Sequence, residues 1–210
     1  PMPFDGPLPA FALRADFWTC SPYKFMGPHC GVLAADPALL ETLHPDKLLP
    51  STNDVPERFE FGTLPYEALA GATAAVDFIA ALAESSEGDD TASGTRRERI
   101  EASMKAVHAH ERALLDVLEP ALRGLPGVTV HSNAAKRTPT LLFTVEGRDP
   151  QEIRGLLAER GVNAPAGHFY AIECSRHLGL GDVGGVRVGL APYTSENDID
   201  RLVTGLREIL

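Results

Sequence analysis

Positive charge is scarce in this chain. Its 210 residues hold 19 Lys and Arg against 29 Asp and Glu, a formal net charge of -10 with a pI near 5.1. Nucleic-acid binding needs clustered Lys and Arg on one face, so no nucleic-acid partner is expected. The acid is dispersed, apart from Glu84–Asp90, and reads as a solvated surface. No apolar run reaches the roughly 18–20 residues of a membrane span. No basic leader precedes an apolar stretch, so neither membrane nor secretion is expected. Cysteine is scarce as well: Cys20, Cys30 and Cys174 are odd in number and lack a C-x-x-C spacing. That argues against a disulfide framework and a metal site, and for a reducing cytoplasm.

What is present suffices for folding. At 44% hydrophobic residues the chain can bury a core, and its length fits one large or two small domains. Four prolines and a glycine in residues 1–13 read as an irregular arm. Ala15–Ser21 and Gly31–Ala35 are strand candidates. Asp36-Pro37 opens a short helix over Ala38–Thr42, with Asp36 as N-cap. His44–Phe61 is polar and proline-dotted, hence a loop. Tyr66–Leu82 reads as a long apolar helix rich in small residues, suited to close packing.

Ser85–Gly94 (SSEGDDTASG) is the strongest linker signal. After it, Ile100, Met104, Val107, Leu114, Leu115 and Leu118 keep helical spacing over Thr95–Leu122, with Glu111 an exception in the stripe. Gly127–His131 and Thr138–Val145 read as strands. Asp149-Pro150 starts a helix that runs to about Arg160 and stops at Gly161. Val186–Leu190 is a strand. Thr194 or Ser195 caps a last helix, with Asp198 in the capping-box place. The second half is thus expected to run helix–strand–strand–helix–strand–helix, an α/β or α+β sandwich.

The densest chemical signal is Cys20–Gly31, CSPYKFMGPHCG. Lys24 follows a strand and precedes a Gly-Pro turn. Tyr23, Phe25 and Met26 are apolar enough to desolvate it, which would make the amine nucleophilic toward an aldehyde. Ser21 offers a hydroxyl to a phosphate. A plain surface lysine beside a turn is the simpler reading of the same residues. The Ser21–Lys24 spacing also fits the S-x-x-K of serine acyl-enzymes, but neither S-D-N nor K-T-G occurs.

The pattern strand–S-x-H/Y-K-x-x-G-P-x-x-G resembles the lysine segment of class V aminotransferases and cysteine desulfurases, which depend on pyridoxal phosphate (PLP). Three further blocks follow in the family's order: Phe59–Pro65 (FEFGTLP), Gly161–Ala171 (GVNAPAGHFYA) and Gly185–Arg201 (GVRVGLAPYTSENDIDR). The likeness is to the C-terminal half of such a protein, nearest the cysteine desulfurase-like subgroup. It implies an α/β fold: residues 1–88 as a remnant of the large PLP-binding domain of fold type I, and 95–210 as a small C-terminal α/β sandwich. It also implies roles. Lys24 would carry the cofactor as a Schiff base and move protons. Ser21 and Tyr23 would contact the cofactor, and Gly62 and Thr63 would reach its phosphate across a dimer. Arg187 would hold a substrate carboxylate, helped by Tyr170, and His168 would stand near the substrate entrance; a packed or capping histidine is the plainer reading of it.

Three departures from the family are visible. Tyr170 stands where sulfur-mobilising desulfurases carry a persulfide-forming cysteine, and Cys174 lies four residues on. Pro165 stands where a second carboxylate-binding arginine is common. The Asp that pairs with the pyridine nitrogen has no counterpart in its motif: Asp5 is out of context, and Asp16 matches the family's strand-start position instead. Without that partner PLP is a weak electron sink. The expectation is a PLP-dependent transferase or lyase for an amino-acid-like substrate, working as a homodimer or with a complementing N-terminal-half chain. The alternatives are a PLP-independent enzyme or small-molecule binder on the same fold, or a non-catalytic partner of a full-length homologue. An apolar partner surface is expected at Phe59–Pro65 and Tyr66–Leu82.

Overall fold

The computed structural model describes residues 15–85, 94–131, 133–134 and 137–210. The expected arm over 1–13, with Asp5, lies outside them, as does the expected linker except for its end residues. Contacts divide the chain into two compact units, residues 1–105 and 106–210.

The first unit opens with an antiparallel pair, β1 (Phe17–Cys20) and β2 (Val32–Ala35), in the register Phe17↔Ala35 to Cys20↔Val32. α1 (Pro37–Glu41) follows directly. Pro37 sits at its first position, where no amide is needed, and the Asp36 carboxylate accepts from the Ala38 N–H at 2.7 Å. The expected loop then contains one 3-10 turn, Glu57–Phe59. Arg58 braces it to α1, donating to the Glu41 carboxylate at 2.7 Å and the Leu43 carbonyl at 3.2 Å.

α2 (Tyr66–Ala81) buries only Ala75 and Ala80. Its small residues are used for close approach: a Cβ on Gly71 would lie 3.3 Å from the Pro28 ring. The first turns of α3 (Arg96–Arg123) pack against its end. Buried Ser103 accepts from the Ala83 N–H at 3.0 Å and donates to the Ala80 carbonyl at 3.3 Å, so its hydroxyl is fully used.

The second unit holds the hydrophobic core. Four antiparallel strands lie in the order β3-β4-β6-β5: β3 (Val128–Val130), β4 (Thr140–Val145), β5 (Ala166–Gly167) and β6 (Gly185–Gly189). β4 alternates strictly, turning Leu141, Phe143 and Val145 inward. Leu115, Leu118 and Leu122 of α3, Ile153 and Leu157 of α4 (Pro150–Glu159), and Leu202 and Leu206 of α6 (Glu196–Ile209) complete the core.

The helix ends are set by local chemistry. Asp149 caps α4, accepting from the Gln151 N–H at 2.8 Å, and Gly161 leaves it at φ +73. Ser195 and Asp198 form the reciprocal capping box of α6. The strand–helix order expected from the sequence was incomplete. Two elements intervene before β6: β5 and α5 (Ile172–His177). Two residues are too few to show a period, and α5 has no side-chain cap to announce it.

Candidate functional site

Lys24 belongs to a one-turn 3-10 helix, Pro22–Phe25, that leaves the end of β1. Ser21 is extended, and Pro22, fully buried, anchors the turn. The Lys24 N–H donates to the Ser21 carbonyl and the Gly27 N–H to the Pro22 carbonyl, each at 2.9 Å. Glycine is required at 27, because a Cβ there would come within 2.8 Å of the Pro22 Cβ. Met26 takes the left-handed backbone that ends the turn, φ 68.

This turn brings three of the sequence-derived candidates together. The Lys24 Nζ donates to the Ser21 Oγ at 3.4 Å and lies 4.8 Å from the centre of the Tyr23 ring. Tyr23 in turn packs on His29, ring centres 5.1 Å apart. The expected desolvation of Lys24 is not found. Its side chain is exposed, and Tyr23 and Met26 are themselves half open to solvent. Successive side chains on a 3-10 turn project about 120° apart, so they do not close around the lysine.

Gly62 and Thr63 lie on the exposed segment between the Glu57–Phe59 turn and α2. Gly62 has φ +122 with open space where a Cβ would go, and Thr63 and Phe61 are exposed. Among the described residues no hydrogen bond joins them to Ser21, Tyr23 or Lys24.

The other candidates cluster in the second unit. β5 pairs with β6 through Ala166↔Val186 and Gly167↔Gly185, and the Arg187 N–H donates to the Pro165 carbonyl at 2.8 Å. The chain then turns sharply at His168–Ala171, with the Ala171 N–H donating to the His168 carbonyl at 2.8 Å. Phe169 and Tyr170 both adopt left-handed backbone, φ 53 and 64. Gly184 makes room for the loop: a Cβ there would lie 2.1 Å from the Gly167 carbonyl oxygen.

The turn places the Phe169 ring under the Arg187 guanidinium, 3.9 Å from centre to Cζ, and leaves Tyr170 fully exposed. Arg187 occupies an exposed position on β6, between buried Val186 and Val188. Buried Nδ1 of His168 has no partner among the described residues. His168, Phe169 and Tyr170 border a cavity of about 390 Å³ that Asp149, Gln151 and Asp182 also line. Asp182 is held below the usual carboxylate range, chiefly by the hydrogen bonds Arg176 donates at 2.6 and 3.1 Å. Cys174 lies on α5, exposed and outside the turn, so α5 would have to unwind before it could take the loop position that Tyr170 fills. Among the described residues no cluster of three or more His, Cys, Asp or Glu is placed to hold a metal, and no helix is long and apolar enough to cross a membrane.

Phe169 was missed by sequence reasoning. Its position between His168 and Tyr170 was visible, but nothing in the letters indicates a left-handed pair that turns the ring onto a strand two blocks away.

The family model for class-V aminotransferases matches residues 97–202, just over half of the chain. An uncharacterized protein of Mycobacterium tuberculosis is 31% identical over 197 residues, covering 93% of this chain and 47% of its own length. A probable cysteine desulfurase of Mycobacterium leprae is 28% identical, covering 97% and 47%. The crystal structure of a cysteine desulfurase from Escherichia coli superposes with a TM-score of 0.75 at 25% identity, covering 95% of this chain and 47% of that one. The chain therefore spans about half the length of the relatives it matches.

Proposed function

The chain belongs to the class-V aminotransferase family, and from that premise we propose that it is a PLP-dependent protein acting on a small amino-acid-like substrate, with an active site completed by a further polypeptide segment. The residues of the lysine turn suit the aldehyde end of the cofactor. Lys24 presents an exposed primary amine, no carboxylate competes for it among the described residues, and the Ser21 hydroxyl stands 3.4 Å away. When bound, PLP supplies an electron sink that weakens the bonds at the substrate α-carbon. Lys24 would hold the cofactor through its amine, and the same amine would move a proton at that carbon. The Ser21 and Tyr23 hydroxyls orient the cofactor's polar end.

Arg187 binds the substrate carboxylate with its planar fork of donors, a geometry a lysine could not offer. His168 stands at the edge of the cavity, where it screens the entrance. Gly62 and Thr63 serve the phosphate of a second copy, which their exposure permits. With Tyr170 at the loop position and Cys174 on α5, a persulfide step has no support here. Non-catalytic pairing with a full-length homologue draws support only from the apolar side chains that α2 leaves exposed, Tyr66, Leu69 and Phe78, and these serve an active dimer equally well.

The carrying observation is the exposed Lys24 amine on a turn fixed by Pro22 and Gly27. The test is an absorbance titration with PLP of wild type against Lys24→Ala. A saturable visible imine band in wild type alone is the expected result; identical spectra for the two would refute the reading.

A further inference from the structure

Arg187 is placed differently from Arg148, Arg160 and Arg176 of its unit. Arg148, Arg160 and Arg176 each donate to a carboxylate. No carboxylate or carbonyl among the described residues accepts from the Arg187 guanidinium; what it meets is the Phe169 ring, 3.9 Å away. A ring face attracts a guanidinium without using its N–H donors. The ring thereby covers one side of the guanidinium while its N–H donors remain uncommitted to any carboxylate or carbonyl among the described residues, as a bidentate carboxylate requires.

The loop is shaped to achieve this. Bulky side chains rarely take left-handed backbone, yet Phe169 and Tyr170 do so in succession. The pairing Gly167↔Gly185, the Ala171–His168 hydrogen bond and the close passage of Gly184 under Gly167 hold them there. The conformation turns Phe169 onto Arg187 and sends Tyr170 out to solvent.

We propose that Phe169 is a positioning residue, which fixes the Arg187 guanidinium so that its donor edge faces a carboxylate-bearing ligand. The inference rests on the carboxylate role of Arg187 and adds the residue that orients it. A long flexible side chain on an exposed strand position otherwise samples many rotamers, and each one frozen on binding weakens affinity. Pre-stacking removes part of that loss before the ligand arrives.

The test uses the full 210-residue chain, labelled with nitrogen-15 and titrated with acetate as the minimal carboxylate. The arginine Nε–Hε signals report both stacking and binding. In wild type the Arg187 signal is expected to carry an upfield ring-current shift and to move saturably with acetate. Phe169→Leu is expected to abolish the ring-current shift and weaken acetate about two- to fivefold; Phe169→Trp is expected to restore both. Arg187→Gln is expected to abolish binding at this site. If Phe169→Leu binds as wild type does while Arg187→Gln does not, the positioning role falls and the carboxylate role stands. If acetate leaves the wild-type Arg187 signal unmoved, or Arg187→Gln binds as well as wild type, the carboxylate role falls and the proposal with it. Absence of the ring-current shift in wild type overturns the stacking directly, whether or not the variants fold.

Discussion

At the scale of the residue, two titratable side chains of the second unit respond to burial in opposite ways. Burial pushes His131 below its ordinary value, with its Nε2 2.9 Å from the Thr144 Oγ1. Below about pH 6.5 the unfolded chain takes up a proton that the folded imidazole refuses. Its contribution is therefore complete above that pH and is lost as pH falls toward the depressed value. Burial pushes Glu111 above the usual carboxylate range, against the pull of His108 and His110. Its contribution is complete below about pH 4.5 and is lost as pH rises through the raised value. Glu111→Gln is accordingly expected to stabilise the protein near neutrality and to flatten the acid side of the profile, as read by denaturant midpoints across pH. Glu111 was legible as the odd polar residue in an apolar stripe; what it costs was not, because burial is a property of the packed helix. Gly184 makes a sharper case. With φ +78 and no room for a Cβ, Gly184→Ala is expected to cost at least about 2 kcal/mol. An unchanged thermal midpoint by circular dichroism would contradict the close approach.

At the scale of the element, the ends that carry their own chemistry were the legible ones. Asp36-Pro37, Asp149-Pro150 and the Ser195–Asp198 pair each announce a helix start, because a cap acts through neighbours within three residues. β5 and α5 escaped, since β5 exists only by its register with β6 and α5 is a single short helix leaving the His168–Ala171 turn. The lysine turn was half legible: Pro22 and Gly27 mark it, but the outward course of Lys24 depends on how the turn leaves β1. Two substitutions on α6 separate local from tertiary effects. Ser195→Ala removes one side of the capping box and is expected to cost about 1 kcal/mol. Leu206→Ala empties a fully buried core position and is expected to cost about 2–5 kcal/mol. Equal losses in chemical denaturation would mean that α6 is held by its cap and not by the core.

At the scale of the whole molecule, burial is unevenly shared. The continuous core cluster belongs to the second unit, whereas among the described residues the first unit buries mainly Pro22, Ala75, Ala80, Ala83 and Ser103. Amide exchange is accordingly expected to be slower in β4, β6 and α6 than in β1, β2 and α1. The exposed Phe61, Tyr66, Leu69 and Phe78 give that first unit an apolar surface of the kind that partners cover. Sedimentation is expected to show association that Phe78→Glu weakens, and a chain that stays monomeric at every concentration would contradict this.

One measurement addresses the Lys24 amine at the level of the atom. The chain contains four lysines, Lys24, Lys47, Lys105 and Lys136, so three serve as internal controls. Borohydride reduction in the presence of limiting PLP, followed by peptide mass mapping, is expected to place the pyridoxyl label on Lys24 in clear excess. A label spread evenly over all four lysines, or absent from Lys24, would contradict it.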